Sequence, residues 1–506
     1  MNYLIDNNII IDYYNEARGK KFPDSIIFFE YALKKETFFI SSSSFDNIAY
    51  TLADYMRKEY GYTLKQRKFL TSKVIEFLLQ NFKIAKTPSY IKMDYEDIED
   101  SQIIASAKAI NAKVITRDKG MLEKYSDIAI SPTDFLSSTK EPNKKIDFAN
   151  LKKQYFMYQS ELEEEMDKIL NNSSYIMGSA IEKLERSLEK FTGAKHAITC
   201  SSGTDALLLA MMALDIKPND EIITTPFTFI ATAETIAFLG AKPVFVDIDE
   251  KTYNIDPTKI EEKITDKTKA IMPVSLYGQP ANMDAIQAIA DKHNLKVIID
   301  GAQSFGSTFK GVTDSNLGDI STTSFFPAKP LGCFGDGGAV FTNSNELATK
   351  MKMIRVHGQN RRYHHKYIGL GARMDALQCA IVDVKLKYYD KDLALRQEVA
   401  FKYSEKLKIK SEKLGLPFID SRATSAFAQY SIRVQNRDEV QARLKELEIP
   451  TAVHYPMPLH LQECFGYLGY SEGDFPISEE VSKEIMSLPM NPYLSDNEIS
   501  YICSYL

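Results

Sequence analysis

The chain has 506 residues, too many for one core of ordinary size, so two or more domains are expected. Its 44% hydrophobic and 26% charged residues exclude a disordered polymer and fit a globular one. A formal net charge of −6 argues against general attraction to nucleic acid or anionic membrane, though not against a local basic patch.

The opening MNYLIDNNIIIDYYNE has acids within its apolar run and no basic segment, so it does not read as a secretory signal. Tyr3–Ile5, Phe38–Ile40, Lys113–Ile115 and Ile128–Ile130 predict strands, and the stretches Lys65–Phe82 and Asp100–Ile110 repeat apolar residues at helical spacing. This alternation is an α/β pattern with a mostly parallel sheet, and we assign it residues 1–137. The polar stretch from Ser137 to Lys145 contains Pro142 and no apolar period; residues 138–145 are read as a linker. Beyond it, strands are expected at Ala197–Thr199, Glu221–Thr224, Pro243–Val246, Lys296–Asp300, Tyr430–Val434 and near Val453. Helices are expected at Thr204–Leu214, from Ala231, and at Arg437–Leu447. No apolar run approaches the ~20 residues of a membrane span. The cysteines, Cys200, Cys333, Cys379, Cys464 and Cys503, are odd in number with no CxxC pair, which fits reduced thiols in a cytoplasmic protein.

Three segments carry chemistry. In Cys200-Ser201-Ser202-Gly203-Thr204-Asp205 a strand runs into a small turn and then a helix. Gly203 lets the backbone approach an anion, and the free N–H groups at the helix start would hold a phosphate; capping by Ser202 or Thr204 explains the same residues. In Ile298-Ile299-Asp300-Gly301-Ala302-Gln303-Ser304 an acid ends a buried strand, where α/β proteins place ligand contacts. Such a carboxylate can bond a pyridinium N–H and keep the ring an electron sink for amino-group transfer, or it can cap a helix. In Thr323-Ser324-Phe325-Phe326-Pro327-Ala328-Lys329-Pro330-Leu331-Gly332, a lysine stands in an apolar, glycine-rich setting. Most lysines are solvated, but a desolvated one has a lowered pKa and condenses with aldehydes.

With these pieces in order, residues from about 145 to 506 closely resemble the DegT–StrS family of sugar-nucleotide aminotransferases. The matching runs are SSGTDALLLA, TTPFTFIATAETIAFLGAKPVFVDID, VIIDGAQSFG, TSFFPAKPLGCFGDGGAVFT, RVHGQNRRYHHKYIG, RMDALQCAI and TAVHYPMPLHLQ. The resemblance implies an α/β fold type I pyridoxal-phosphate architecture. Its large, mostly parallel-sheet domain would span residues 146–395 and its small α/β lobe residues 396–506. It implies that Lys329 binds the cofactor covalently and shuttles a proton, and that Asp300 partners the pyridine nitrogen. It further implies that Gln303 bonds the ring hydroxyl, Phe229 stacks on the ring, and Gly203, Thr204 and Ser324 contact the phosphate. Two positions depart from the family. Gly371 replaces a frequent Asn in the loop that reaches the neighbouring subunit's cofactor phosphate, leaving Arg373 to supply the charge, and Ala328 replaces a hydroxyl residue. A homodimer or larger homo-oligomer is implied. Some relatives are dehydratases with histidine at the lysine position, and Lys329 argues against that reading.

HGQNRRYHH and PVSLYGQPANMDAI resemble aminotransferases acting on UDP-2-acetamido-2-deoxy-3-oxo-glucuronate in surface polysaccharide precursor synthesis. A UDP-sugar acid is strongly anionic, so Arg361, Arg362, His364, His365 and Arg373 are substrate candidates, with His454 and Tyr455; the Arg-Arg-Tyr-His-His run also fits a solvated loop. L-Glutamate as amino donor is implied by the family.

Residues 1–137 resemble a PIN domain, a metal-dependent ribonuclease fold, through YLIDNNIIIDYY, EDIEDSQIIASAKAINAKVITRDKGM and SPTDFL. The resemblance implies that Asp6, Asp100 and Asp118 hold Mg²⁺ or Mn²⁺ against a phosphodiester, with RNA as a partner. The family's fourth acid falls at Asn47, beside Asp46, which weakens such a site. Two alternatives therefore stand beside the aminotransferase reading: RNA cleavage as the main role, or an N-terminal module that serves assembly.

Overall fold

Apolar runs rich in Ile, Val and Phe build the first sheet. Its strands are β1 (Asn2–Ile5), β2 (Phe38–Ser41), β3 (Lys83–Ala85), β4 (Ala112–Ile115) and β5 (Ala129–Ile130), all parallel and ordered β3-β2-β1-β4-β5. These come from a computed structural model that describes residues 2–15, 22–33, 38–88, 98–138, 146–410 and 414–506; most of the expected linker lies outside those residues. The chain divides into two units, residues 1–145 and 146–506. The expected helices appear as Leu64–Asn81, opened by a Thr63/Gln66 capping box, and Ile98–Ala109. β3 was not foreseen: at a sheet edge, a three-residue strand buries too little to leave a pattern.

In the second unit seven strands are ordered β6-β14-β13-β10-β9-β7-β8. They are β6 (His196–Cys200), β7 (Glu221–Thr224), β8 (Lys242–Phe245), β9 (Thr268–Ile271), β10 (Lys296–Asp300), β13 (Ile320–Ser324) and β14 (Gly338–Thr342). The small hairpin β11 (Thr308–Phe309) and β12 (Val312–Thr313) lies between β10 and β13 in sequence. All neighbours are parallel except β14, which runs antiparallel to both β13 and β6. This places Cys200, Ser324 and Gly338 in register at one edge, with Asp300 paired to Thr322 beside them. Ligand sites of open α/β sheets form at that carboxyl edge.

Two further antiparallel pairs complete the unit: β15 (Gln359–Arg361) with β16 (His364–His365), and β17 (Tyr430–Arg433) with β18 (Ile485–Leu488). The last pair anchors the C-terminal lobe, whose core includes Tyr403, Tyr430, Leu444 and Ile499. The expected boundary at residue 395 falls inside one helix, Tyr389–Lys410, and Ile146 packs into the C-terminal lobe's core. The strand expected near Val453 is absent. Ala452 makes a single bridge to Ser487 before Pro456 and Pro458 end regular pairing, and β17 takes the ladder with β18 instead. Among the described residues no helix is long and apolar enough to cross a membrane.

A buried ion pair fixes the approach to the edge. Arg355 Nη1 donates to Glu185 Oε1 and, at 2.8 Å, to the Thr199 carbonyl, while Glu185 Oε1 accepts from Thr199 N at 3.0 Å. Helices Ser179–Thr192 and Asn345–Ile354 are thereby tied to β6, one residue before Cys200. Removing one partner strands the other's charge, at a cost of about 3–5 kcal/mol. Glu185→Ala should therefore lower the thermal midpoint by several degrees in scanning fluorimetry; an unchanged midpoint would contradict the role given to this pair.

Candidate functional site

The turn after β6 is shaped by close packing. Ser202 Oγ caps the helix Gly203–Ala213 by accepting from Asp205 N at 3.0 Å. A Cβ on Gly203 would lie 2.8 Å from Ser324 Cβ, and one on Gly338 would lie 2.5 Å from the Ser202 carbonyl. Only glycine lets these backbones approach, and the N–H groups of the helix start remain at the sheet edge, where an anion is favoured. The Ala372 carbonyl accepts from Ser201 N at 3.2 Å, so the segment carrying Gly371 and Arg373 runs beside this turn.

Asp300 ends β10, buried at 6% exposure. Its Oδ2 accepts from Thr232 Oγ1 at 2.7 Å and its Oδ1 from Ala302 N at 3.2 Å. Thr232 in turn shares a 2.9 Å hydrogen bond with Thr228. Gln303 is held at both ends: Oε1 accepts from Tyr277 N at 2.7 Å, and Nε2 donates to Tyr455 Oη at 3.1 Å. Tyr277 sits at φ 55°, ψ 8°, a conformation rare for an aromatic residue, and its hydroxyl donates to the His454 carbonyl. Such strain is found where surrounding contacts over-determine it, often at functional sites.

Lys329 follows β13 in a tight loop, where Lys329 N donates to the Phe326 carbonyl at 2.9 Å and Cys333 N to Phe325 at 2.8 Å. Among the described residues no hydrogen bond or ion pair engages its Nζ. The side chain keeps some solvent contact yet is densely surrounded by protein atoms. Burial pushes the amine's pKa down, and the Asp300 carboxylate partly offsets this. His454 is pushed down to about 4 by burial and by the Lys329 charge, so its imidazole is neutral near pH 7; its Nδ1 lies 2.9 Å from Ser487 Oγ. Burial, with Asp300 nearby, raises the Tyr455 phenol's pKa and keeps it protonated. Phe229 is 53% exposed, its ring centroid 6.1 Å from that of Tyr455.

The structure thus brings together Lys329, Asp300, Gln303, His454 and Tyr455. His454 and Tyr455, expected among substrate contacts, stand against Gln303, Tyr277 and Lys329. The hairpin carrying Arg361, Arg362, His364 and His365 is exposed. Arg362 stacks on Tyr363, and His365 Nδ1 meets the His357 carbonyl at 2.7 Å. Among the described residues no hydrogen bond or ion pair joins this hairpin to the Asp300 group. Sequence reading missed Thr232 and Tyr277. Each lies in a run quoted for its resemblance, but a lone Thr or Tyr there gives no chemical signal.

In the N-terminal unit two of the three expected metal ligands, Asp6 and Asp118, share Thr116 Oγ1, which accepts from Asp118 N at 3.0 Å. Asp6, its pKa raised by burial, accepts from Thr116 Oγ1 at 2.6 Å. Asp118 Oδ1 caps the helix Lys119–Lys124 through Met121 N at 2.7 Å. The acid that meets the amides of Asn7 and Asn47 is Glu99, one residue before Asp100. Among the described residues no three His, Cys, Asp or Glu side chains are grouped to hold a metal. Asp12, nearby in sequence, is neutralised by a bidentate Arg117 at 2.7 and 3.1 Å.

Residues 157–506 match the DegT/DnrJ/EryC1/StrS aminotransferase family, and residues 3–127 match the PIN domain. The UDP-2-acetamido-2-deoxy-3-oxo-D-glucuronate aminotransferase of Pseudomonas aeruginosa is 49% identical over 361 residues, covering 71% of this chain and 99% of the relative. The dTDP-3-amino-3,6-dideoxy-alpha-D-galactopyranose transaminase of Aneurinibacillus thermoaerophilus is 41% identical, covering 71% of this chain and 97% of the relative. Among solved structures, Streptomyces venezuelae DesV aligns with a TM-score of 0.70 and 33% identity over 71% of this chain and 97% of its own. Bacillus subtilis NtdA with bound cofactor PMP aligns with a TM-score of 0.68 and 26% identity over 80% of this chain and 96% of its own.

The depressed His454 pKa has a defined sign. An imidazole whose pKa is about 6.5 unfolded and about 4 folded protonates more readily in the unfolded chain. Its contribution is intact above about 6.5 and is lost as pH falls through about 4. His454→Gln should flatten the fall in thermal midpoint across that window; superimposable pH curves for the two proteins would contradict the assignment.

Proposed function

The chain belongs to the DegT/DnrJ/EryC1/StrS aminotransferase family and is a pyridoxal-phosphate-dependent sugar-nucleotide aminotransferase. On that footing we propose that it moves an amino group from L-glutamate to the 3-oxo group of UDP-2-acetamido-2-deoxy-glucuronate, for surface polysaccharide precursors. The observation that carries the reading is a desolvated lysine amine with no hydrogen-bond or ion-pair partner among the described residues, held near a buried carboxylate at the sheet's carboxyl edge. Identity of 49% with a relative named for that sugar supports the substrate.

The residues present fit the cofactor. Gly203 and Gly338 leave a turn of N–H groups that a Cβ would close, and Thr204 and Ser324 flank it to hold a phosphate. When bound, pyridoxal phosphate supplies an aldehyde carbon and an electron-accepting ring. Lys329 Nζ, whose charge burial disfavours, would supply the nucleophile for that aldehyde and then the base that moves a proton. Asp300 would hold the ring-nitrogen proton, and Thr232 and Ala302 N keep its carboxylate oriented. Gln303, fixed by Tyr277 and Tyr455, presents its amide to the ring hydroxyl. Phe229 would cover a ring face and exclude water. Arg361, Arg362, His364, His365 and Arg373 supply cations for the diphosphate and the sugar carboxylate. Arg373 acts across a homodimer interface.

The N-terminal unit receives no metal-dependent step. Asp6, Asp118 and Glu99 each accept from a protein donor, and among the described residues no three such side chains are grouped to hold a metal.

Purified protein should absorb near ~420 nm, and turnover with glutamate should be highest for a UDP-linked 3-oxo sugar acid within a panel of UDP- and dTDP-linked keto sugars. Lys329→Ala should abolish the band and cut turnover by at least ~10³-fold. Amination at the parent's rate by that variant would overturn the reading, and preference for a dTDP-linked sugar would overturn the substrate.

A further inference from the structure

Behind the Asp300 turn lies a second carboxyl group that the reaction does not use. Asp314 is buried at 1% exposure in the one-turn helix Asp314–Asn316. Its Oδ2 accepts from Ser304 Oγ, and it lies 3.2 Å from where a Cβ on Gly301 would stand. Its own N–H donates to the Ser307 carbonyl at 2.9 Å, and Ser307 Oγ returns to the Ser304 carbonyl at 2.6 Å. On the other side is Ser275, whose N–H donates to the Asp300 carbonyl at 3.0 Å. Among the described residues Asp314 Oδ1 and Ser275 Oγ, both buried, make no hydrogen bond of normal geometry, but the Ser275 hydroxyl is near enough to lower the carboxyl's pKa. The carboxyl therefore stands where the turn bearing Gln303 meets the segment bearing Tyr277, the two ends of the Tyr277–Gln303 hydrogen bond.

We propose that Asp314 is a positioning residue that pins the Gly301–Ser304 turn against the Ser275–Tyr277 segment and so sets the aim of Asp300 and Gln303. This rests on the reading that Asp300 and Gln303 face the cofactor. Burial pushes the Asp314 carboxyl up to about 6, the Ser304 and Ser275 hydroxyls ease it, and Asp300 is the charged group that raises it further. The elements packed around it add little charge. β13 (ISTTS) and β14 (GAVFT) carry only hydroxyl and apolar side chains. In the last turn of the helix Ser179–Thr192, Glu189 is engaged by Ala197 N and Lys190 is exposed. Above about pH 6 the anion is a strong acceptor for Ser304 and adds negative charge behind Asp300. Protonation weakens both effects, so the hold on a protonated pyridine ring loosens as pH falls.

The test is pyridoxal-phosphate affinity and the ~420 nm band of the full chain between pH 5 and 8, for the parent, Asp314→Asn and Asp314→Ala. Asparagine keeps an acceptor for Ser304 and should hold the cofactor within about twofold of the parent at pH 7.5, the rest of the difference being charge. Alanine should weaken it about tenfold, the loss of one hydrogen bond to a charged acceptor. The parent's advantage over both variants should shrink as pH drops through about 6. Parent-like affinity in Asp314→Ala, with the parent's Lys329-dependent band intact, overturns the Asp314 role alone. If alanine does not fold, an Asp314→Asn affinity that tracks the parent's through pH 6 overturns it equally. Absence of a Lys329-dependent band in the parent overturns the cofactor reading and this proposal together.

Discussion

A lysine surrounded by protein loses the hydration that keeps its amine charged, and the loss can be met in two ways. The amine can be given a partner, or it can be left ready to react. The second unit contains both solutions within one loop's reach. Lys385, on the helix Ala376–Leu386, is pushed down to about 8 by burial, donates to the Gly332 carbonyl at 2.6 Å, and lies 4.5 Å from the Phe334 ring centroid. It braces the loop that begins with Lys329. Lys329 is desolvated as well, but among the described residues its amine has no such partner, and it senses the Asp300 carboxylate instead.

The rest of the fold serves that contrast. Parallel strands β6, β10 and β13 bring the phosphate-type turn, Asp300 and the lysine loop to one edge, and antiparallel β14 starts at that edge with Gly338 packed on Ser202. The Glu185–Arg355 pair fixes β6 from behind. The C-terminal lobe reaches in with His454 and Tyr455, so Gln303 is gripped from two elements far apart in sequence. Burial that keeps His454 neutral also keeps a second cation away from the lysine amine.

Much of this was legible in the sequence because local chemistry announces itself. The runs SSGTDA, VIIDGAQS and FFPAKPLG each join a strand to a turn bearing a distinctive residue, and their order points to Lys329 and Asp300. What stayed hidden depends on contacts distant in sequence. Ile320–Ser324 and Gly338–Thr342 are strands only because their neighbours pair with them; ISTTS has no apolar alternation and GAVFT is short. Thr232 meets Asp300 across 68 positions, and Asp314 is an ordinary turn acid until folding buries it. In the N-terminal unit, Glu99 meets the amides of Asn7 and Asn47 across 92 and 52 positions, contacts that leave no local pattern.

The central claim is that one buried lysine, and not the other, meets the cofactor's aldehyde. Borohydride reduction of the purified holoenzyme, followed by proteolysis and peptide mass spectrometry, reads this directly. The account predicts a pyridoxyl label on the peptide containing Lys329 and none on that containing Lys385. Label on Lys385, or an unlabelled Lys329 in an enzyme that aminates sugar nucleotides, would contradict it.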